Sequence, residues 1–128
     1  MKKKSKRIVS LLIVTCMLVA LFSFGASAKT SSGTKNGISY TAIMNFDRRY
    51  MEVVFTGNPA SRLEFNGYAK SSSGRSEKTV ECNYIATGTT IGKTVNPPSD
   101  SLQFYYGQEQ YYINGSYVRT IVDSLPKL

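Results

Sequence analysis

The sequence predicts an all-β fold: an antiparallel, immunoglobulin-like β-sandwich of about seven strands behind an N-terminal signal helix. Two observations carry the β reading. Apolar and polar residues alternate with period two over most of the chain beyond residue 37, as in strands that bury one face and wet the other. Turn chemistry interrupts this alternation at short intervals, and no stretch reads as the long crossover helix of a parallel fold. A third observation sets the N-terminal residues apart. Lys2, Lys3, Lys4, Lys6 and Arg7 precede an apolar run over residues 8–24, and Ala26-Ser27-Ala28 ends it with small residues. That is the layout of a secretory signal peptide with cleavage after Ala28.

The elements follow in order. Residues 1–28 are the signal peptide; the alternative is an uncleaved anchor, with the basic end in the cytoplasm and the rest facing outward. Residues 29–37, rich in Ser, Thr, Gly and Lys, read as a flexible lead-in. Residues 38–128 form a single domain. Its first strand places Ile38, Tyr40, Ala42, Met44 and Phe46 on one face, and its second Met51, Val53 and Phe55. The third buries Leu63, Phe65, Gly67 and Ala69, leaving Arg62, Glu64, Asn66, Tyr68 and Lys70 in water. Asp47-Arg48-Arg49, Gly57-Asn58-Pro59-Ala60 and residues 71–76 supply the breaks. Val80, Cys82, Tyr84 and Ala86 share a face of the fourth strand. After Thr87-Gly88-Thr89, residues 91–95 and 102–106 give two short strands. Residues 111–113 then run into Asn114-Gly115, a type I′ hairpin signal, and residues 117–122, β-branched or aromatic, read as a returning strand, the alternative being a short closing helix on the spacing of Val118, Ile121, Val122 and Leu125.

Charge is deceptive in the whole chain. The formal net charge is +8, but five of 16 basic residues and none of the eight acidic ones precede residue 29. The remainder holds 11 basic against 8 acidic side chains, a net +3, too weak and too scattered for a nucleic-acid footprint. Membrane contact is expected only through the N-terminal segment if it is uncleaved. One cysteine, Cys82, remains in the exported part, so no internal disulfide forms; its place in an alternating run marks it as a small buried hydrophobe.

Catalytic chemistry is poorly served. The chain has no histidine, which removes Ser-His-Asp and Cys-His nucleophiles and the commonest metal ligand. A closed zinc site needs more than one cysteine, and no calcium-loop motif occurs. Glu52 and Glu64, read as lying on adjacent strands, are better placed to solubilise a sheet face than to act as a glycosidase pair. The expectation is a non-enzyme without cofactor or metal. What stands out is tyrosine: all nine lie beyond residue 28, and Tyr105, Tyr106, Tyr111, Tyr112 and Tyr117 crowd the last quarter. Neighbouring strand residues point to opposite faces, so neither Tyr105-Tyr106 nor Tyr111-Tyr112 is buried as a pair. These five form the candidate binding surface, around Gly107-Gln108-Glu109-Gln110.

The lysine-rich signal, the opening Ile38-Ser39-Tyr40-Thr41-Ala42 and the run Leu63-Glu64-Phe65-Asn66-Gly67-Tyr68 resemble small secreted β-sandwich proteins of Gram-positive bacteria, a group largely without assigned activity. A more remote resemblance is to the lactococcin 972-like bacteriocins, whose mature peptides carry tryptophan and histidine that this chain lacks. Neither resemblance transfers a functional residue. The expected function is a secreted, non-enzymatic binding module that meets an extracellular protein or a cell-surface glycan. The alternative is a bacteriocin-like or toxin-like effector.

Overall fold

A computed structural model describes residues 27–128, which form six antiparallel strands and no helix: β1 (Ser27–Lys35), β2 (Ile38–Phe46), β3 (Met51–Ser72), β4 (Glu77–Val95), β5 (Gln103–Ile113) and β6 (Ser116–Ser124). The expected signal helix falls on residues outside this range. The all-β, antiparallel expectation holds, with six strands where about seven were expected. Strand order is β1-β2-β3-β5-β6, with β4 paired to β3.

Three boundaries differ from the sequence reading, each for a local reason. Residues 29–37 are not a flexible lead-in. Asn36 and Gly37 take positive φ values of 50° and 80°, the requirement of a type I′ turn, and β1 therefore folds back on β2 from Lys35↔Ile38 to Ser27↔Phe46. Gly57-Asn58-Pro59-Ala60 does not reverse the chain. Pro59 has no N–H to give a ladder, so β3 bulges and runs on: the register passes from Thr56↔Thr90 to Ser61↔Gly88. Glu52 and Glu64 consequently lie on one strand, twelve positions apart, and not on neighbours. Thr87-Gly88-Thr89 faces that bulge inside β4 and is no turn either. Asn114-Gly115, at φ 50° and 81°, makes the expected hairpin, and the C-terminal segment returns as β6.

The bulge bends the sheet. Along one edge β3 pairs with β2 over residues 51–58 and with β5 over residues 63–72, while β4 follows it on the other edge throughout. Two leaves result, β1-β2 with the ends of β3 and β4 on one side, β5-β6 with their other halves opposite. They meet through Phe55 and Tyr111, whose ring centroids are 5.0 Å apart, and through Phe46 stacked on Phe104. The Tyr111 hydroxyl donates across the interior to the Ile43 carbonyl at 3.2 Å. The free edges of β1 and β6 then approach, and Lys29 spans them, its ammonium donating to the Val122 carbonyl at 2.8 Å and lying 3.9 Å from Asp123. The folded sheet is nearly a barrel.

The core is the inward set of the alternation. Ala42, Met44, Met51, Val53, Phe55, Leu63, Phe65, Ala69 and Cys82 are fully buried, and each larger side chain among them contributes roughly 1.5–3 kcal/mol by leaving water. Cys82 is a free, buried thiol, as its strand position predicts.

Candidate functional site

The outward residues of β3, β4, β5 and β6 form a surface of a different kind. Cross-strand register aligns Glu81, Tyr68, Gln108 and Val122 in one row, Asn83, Asn66, Gln110 and Thr120 in the next. Alternation puts these side chains on one face, and register places them side by side. The amides are already oriented. Tyr106 and Tyr68 donate their hydroxyls to Gln108 Oε1 at 3.0 and 3.5 Å, and Tyr112 donates to Gln110 Oε1 at 2.9 Å. Their carbonyl oxygens being taken, Gln108 and Gln110 present N–H donors that meet no acceptor among the described residues. Asn66 and Asn83 in turn donate to Glu64 and Glu81.

Aromatic pairs bracket these amides. Tyr68 and Tyr106 lie 6.1 Å apart with the Lys70 ammonium 5.8 and 5.6 Å from their ring centres, a cation–π contact to both. Burial against the sheet and the neighbouring Tyr68 hydroxyl push the Tyr106 phenol up, so it remains a neutral donor. At the other end Tyr112 and Tyr117 meet edge to face at 6.0 Å. Between the pairs runs a shallow groove of about 270 Å³, with Asn66, Asn83, Gln108 and Gln110 on its walls and Gly67 in its floor.

Three of the five expected surface tyrosines, Tyr106, Tyr112 and Tyr117, are therefore brought together on this face. Tyr111 is not among them: it is fully buried, and burial pushes its phenol far up. Tyr105 stands apart as the extra residue of a bulge, since Lys70 pairs Tyr106 while Ser71 pairs Phe104. Its ring lies under the Lys127 ammonium, 5.3 Å away. Sequence reasoning centred the surface on Gly107-Gln108-Glu109-Gln110 but did not gather Tyr68 and Lys70 into the site. Residues 107, 109, 111 and 113 alternate inward, which sends Gln108 and Gln110 outward with Tyr106 and Tyr112.

Directly behind the groove floor lies an acid. Cys82, Gly67 and Glu109 occupy one level of β4, β3 and β5, all facing inward. Glu109 is fully buried, and neither carboxylate oxygen has a hydrogen bond of acceptable geometry. Its side chain lies across Gly67, where a Cβ would stand 2.6 Å from the carboxyl carbon. Desolvation pushes the acid up to about 8, against the opposing pull of the Cys82 thiol and the Lys93 ammonium. Burial, followed by the nearby Glu109 charge, raises Cys82 to about 12, which keeps it a thiol and a poor nucleophile.

The chain matches no protein-family model, no curated protein and no solved structure. The site must therefore be judged on its own chemistry. A larger groove of about 460 Å³ at the bend is lined by Ser39, Thr41, Thr56, Gly57, Asn58, Thr89 and Thr90 with Tyr40. It has no charged group, and the Tyr40 ring is engaged with Phe55. The tyrosine and amide face has the richer recognition chemistry. Among the described residues no three His, Cys, Asp or Glu side chains gather as metal ligands would.

Proposed function

We propose that this chain is a secreted, non-enzymatic binding module that holds a hydroxyl-rich cell-surface glycan against the outer face of β3, β4, β5 and β6. The carrying observation is that two tyrosine pairs bracket Gln108 and Gln110, whose amide donors are fixed by phenol hydrogen bonds before any ligand arrives. Preorganised donors lose little entropy on binding, and tyrosine supplies rigid area with apolar faces and a polar tip. The charged groups Glu64, Glu81 and Lys70 stand at different levels of this face, and they suit a polymer better than a reacting atom.

We also read the two facing leaves as the layers of a sandwich-like scaffold, supported by their apolar inner faces. The immunoglobulin-like part of that reading extends to the layering, since the strand order is a meander with β4 set aside.

The test uses purified residues 29–128 and isolated cell-wall polysaccharide. Saturable cosedimentation is expected, and the double variant Tyr106→Ala, Tyr112→Ala should lose it while melting like the parent. Equal retention of the double variant would reject the face as the binding surface. Growth of the exposed cells is followed in parallel: growth arrest without retention favours the effector reading.

A further inference from the structure

We infer that Glu109 is a proton-operated latch beneath the groove: as a neutral acid it keeps β4 seated on β3, and its ionisation loosens β4 and releases what the groove holds. The inference rests on the proposed binding role of that groove, whose regulation it describes.

Alternation ties the two sides of the sheet together. Cys82 sits between Glu81 and Asn83, and Glu109 between Gln108 and Gln110, so the groove walls and the buried pair belong to the same short stretches of backbone. Gly67 serves both sides: outward it floors the groove, with its N–H donating to Asn83 Oδ1 at 3.0 Å, and inward it makes room for the Glu109 carboxyl. A charge formed on Glu109 has no hydrogen bond in place on either oxygen and only the weak Cys82 thiol beside it, and a poorly compensated buried charge drives either water entry or local opening.

The groups facing Glu109 are few. From β4 come the Cys82 thiol, which stays protonated, and Lys93, whose exposed ammonium is engaged with the Asn83 carbonyl at 3.3 Å. From β5 itself comes Tyr111, held neutral by burial. Opposite Glu109, β3 offers Gly67 and β6 offers Ile121, neither of which titrates; the next inward residue of β6 is the buried carboxylate Asp123, level with Gly107, which carries the same sign as an ionised Glu109. Only the Cys82 thiol, a weak donor, and Lys93 can answer the charge, and Lys93 sits on the far half of β4.

β4 is an edge strand, as are β1 and β6. Among the described residues it pairs with β3 alone, whereas β3 and β5 are flanked on both edges. An edge strand held on one side is among the first segments to open. Its opening uncovers Cys82, which gives the latch a readout independent of any ligand.

The experiment compares the parent with Glu109→Gln, which keeps the shape of the neutral acid, from pH 6 to 9.5. Labelling of Cys82 by a thiol reagent is expected to accelerate in the parent relative to the variant by up to roughly tenfold per pH unit from pH 6 and to level off near pH 8, because opening is linked to the loss of one proton only while the closed state still holds it. Glu109→Met serves as a second variant should the amide fail to fold. Superimposable labelling profiles would overturn the latch. Retention of wall polysaccharide should fall over the same pH range in the parent and not in the variant; pH-gated labelling with pH-independent retention would overturn the coupling to the groove. Absence of retention at every pH defeats the binding role and with it the regulation, while the labelling profiles still decide the opening.

Discussion

Residues 51–57 and 63–69 of β3 obey the same alternation, yet they build unlike interiors. The first stretch turns Met51, Val53 and Phe55 toward Ala42, Met44, Phe46, Ile91 and Val95, an apolar set, although Asn45 of β2 is also fully buried. The second turns Leu63, Phe65, Gly67 and Ala69 toward a layer that also contains Cys82, Glu109 and Asp123. Outside, the first leaf shows mainly hydroxyls around Thr41, Thr56 and Thr90, and the second the tyrosine and amide face. A small domain needs only part of its interior to be well packed. Both leaves share one apolar core, and the second also accommodates a buried acid, a departure expected where local rules are broken for function.

The sharpest way to break this contrast is a methyl group on each leaf. At Gly67 a Cβ would lie 1.9 Å from the Gln108 carbonyl oxygen as well as against the Glu109 carboxyl. Backbone cannot yield as a side chain can, so Gly67→Ala is expected to cost about 3 kcal/mol. At Gly57 the nearest obstacle is the tip of Leu63, 2.8 Å away, which rotates aside, so Gly57→Ala should cost no more than about 1 kcal/mol. Denaturant unfolding of the two variants gives the comparison, and equal losses would erase the distinction.

The next effect concerns pH. Glu109 rises from an ordinary 4.5 to about 8 in the folded chain. Between those values the folded state keeps a proton that the unfolded state releases, so stability is greatest below the window and falls as pH rises through it. The parent should lose on the order of 4 kcal/mol between pH 5 and pH 9 relative to Glu109→Gln. Unfolding midpoints of both proteins at several pH values measure this difference. Parallel profiles would show that Glu109 titrates as it does in water.

Much of the architecture was legible because inward and outward residues follow a period of two. That rule alone assigned Phe55, Phe65 and Ala69 to the core and sent Glu64, Asn66 and Tyr68 to the outside. It also placed Cys82 correctly. It failed where the count of residues changes. The bulge at Tyr105 resets the alternation of β5, so reading forward from Phe104 hides the inward run of Gly107, Glu109, Tyr111 and Ile113. A glutamate in that run reads as solvent-exposed by composition, and only the room above Gly67 lets it turn inward. Pro59 misled in the opposite direction, because a residue that ends ladders also permits a bulge inside one long strand. Asn36-Gly37 carried as clear a turn signal as Asn114-Gly115, but it was masked by the polar residues around it.

The smallest expected effect lies at the seam where the two leaves nearly close. Lys29 is the described contact that joins β1 to β6 by hydrogen bond and charge, reaching the Val122 carbonyl and the Asp123 carboxylate. Its side chain is half exposed, so the ion pair is screened by water and salt and should contribute about 0.5 kcal/mol. Asp123 keeps an N–H donor from Ser124 at 2.8 Å whether or not Lys29 is present, which limits the loss further. Lys29→Ala is therefore expected to lower stability by about 0.5 kcal/mol in dilute buffer and by less at high salt, as unfolding at two ionic strengths would show. Its amide exchange should rise along β1 and β6 and leave β3 unaltered, because the two leaves are held by Phe55, Tyr111 and the Ile43 carbonyl and not by the seam. A loss of several kcal/mol, with exchange spreading into β3, would instead show that closure of the sheet, and not contact between the leaves, holds the fold together.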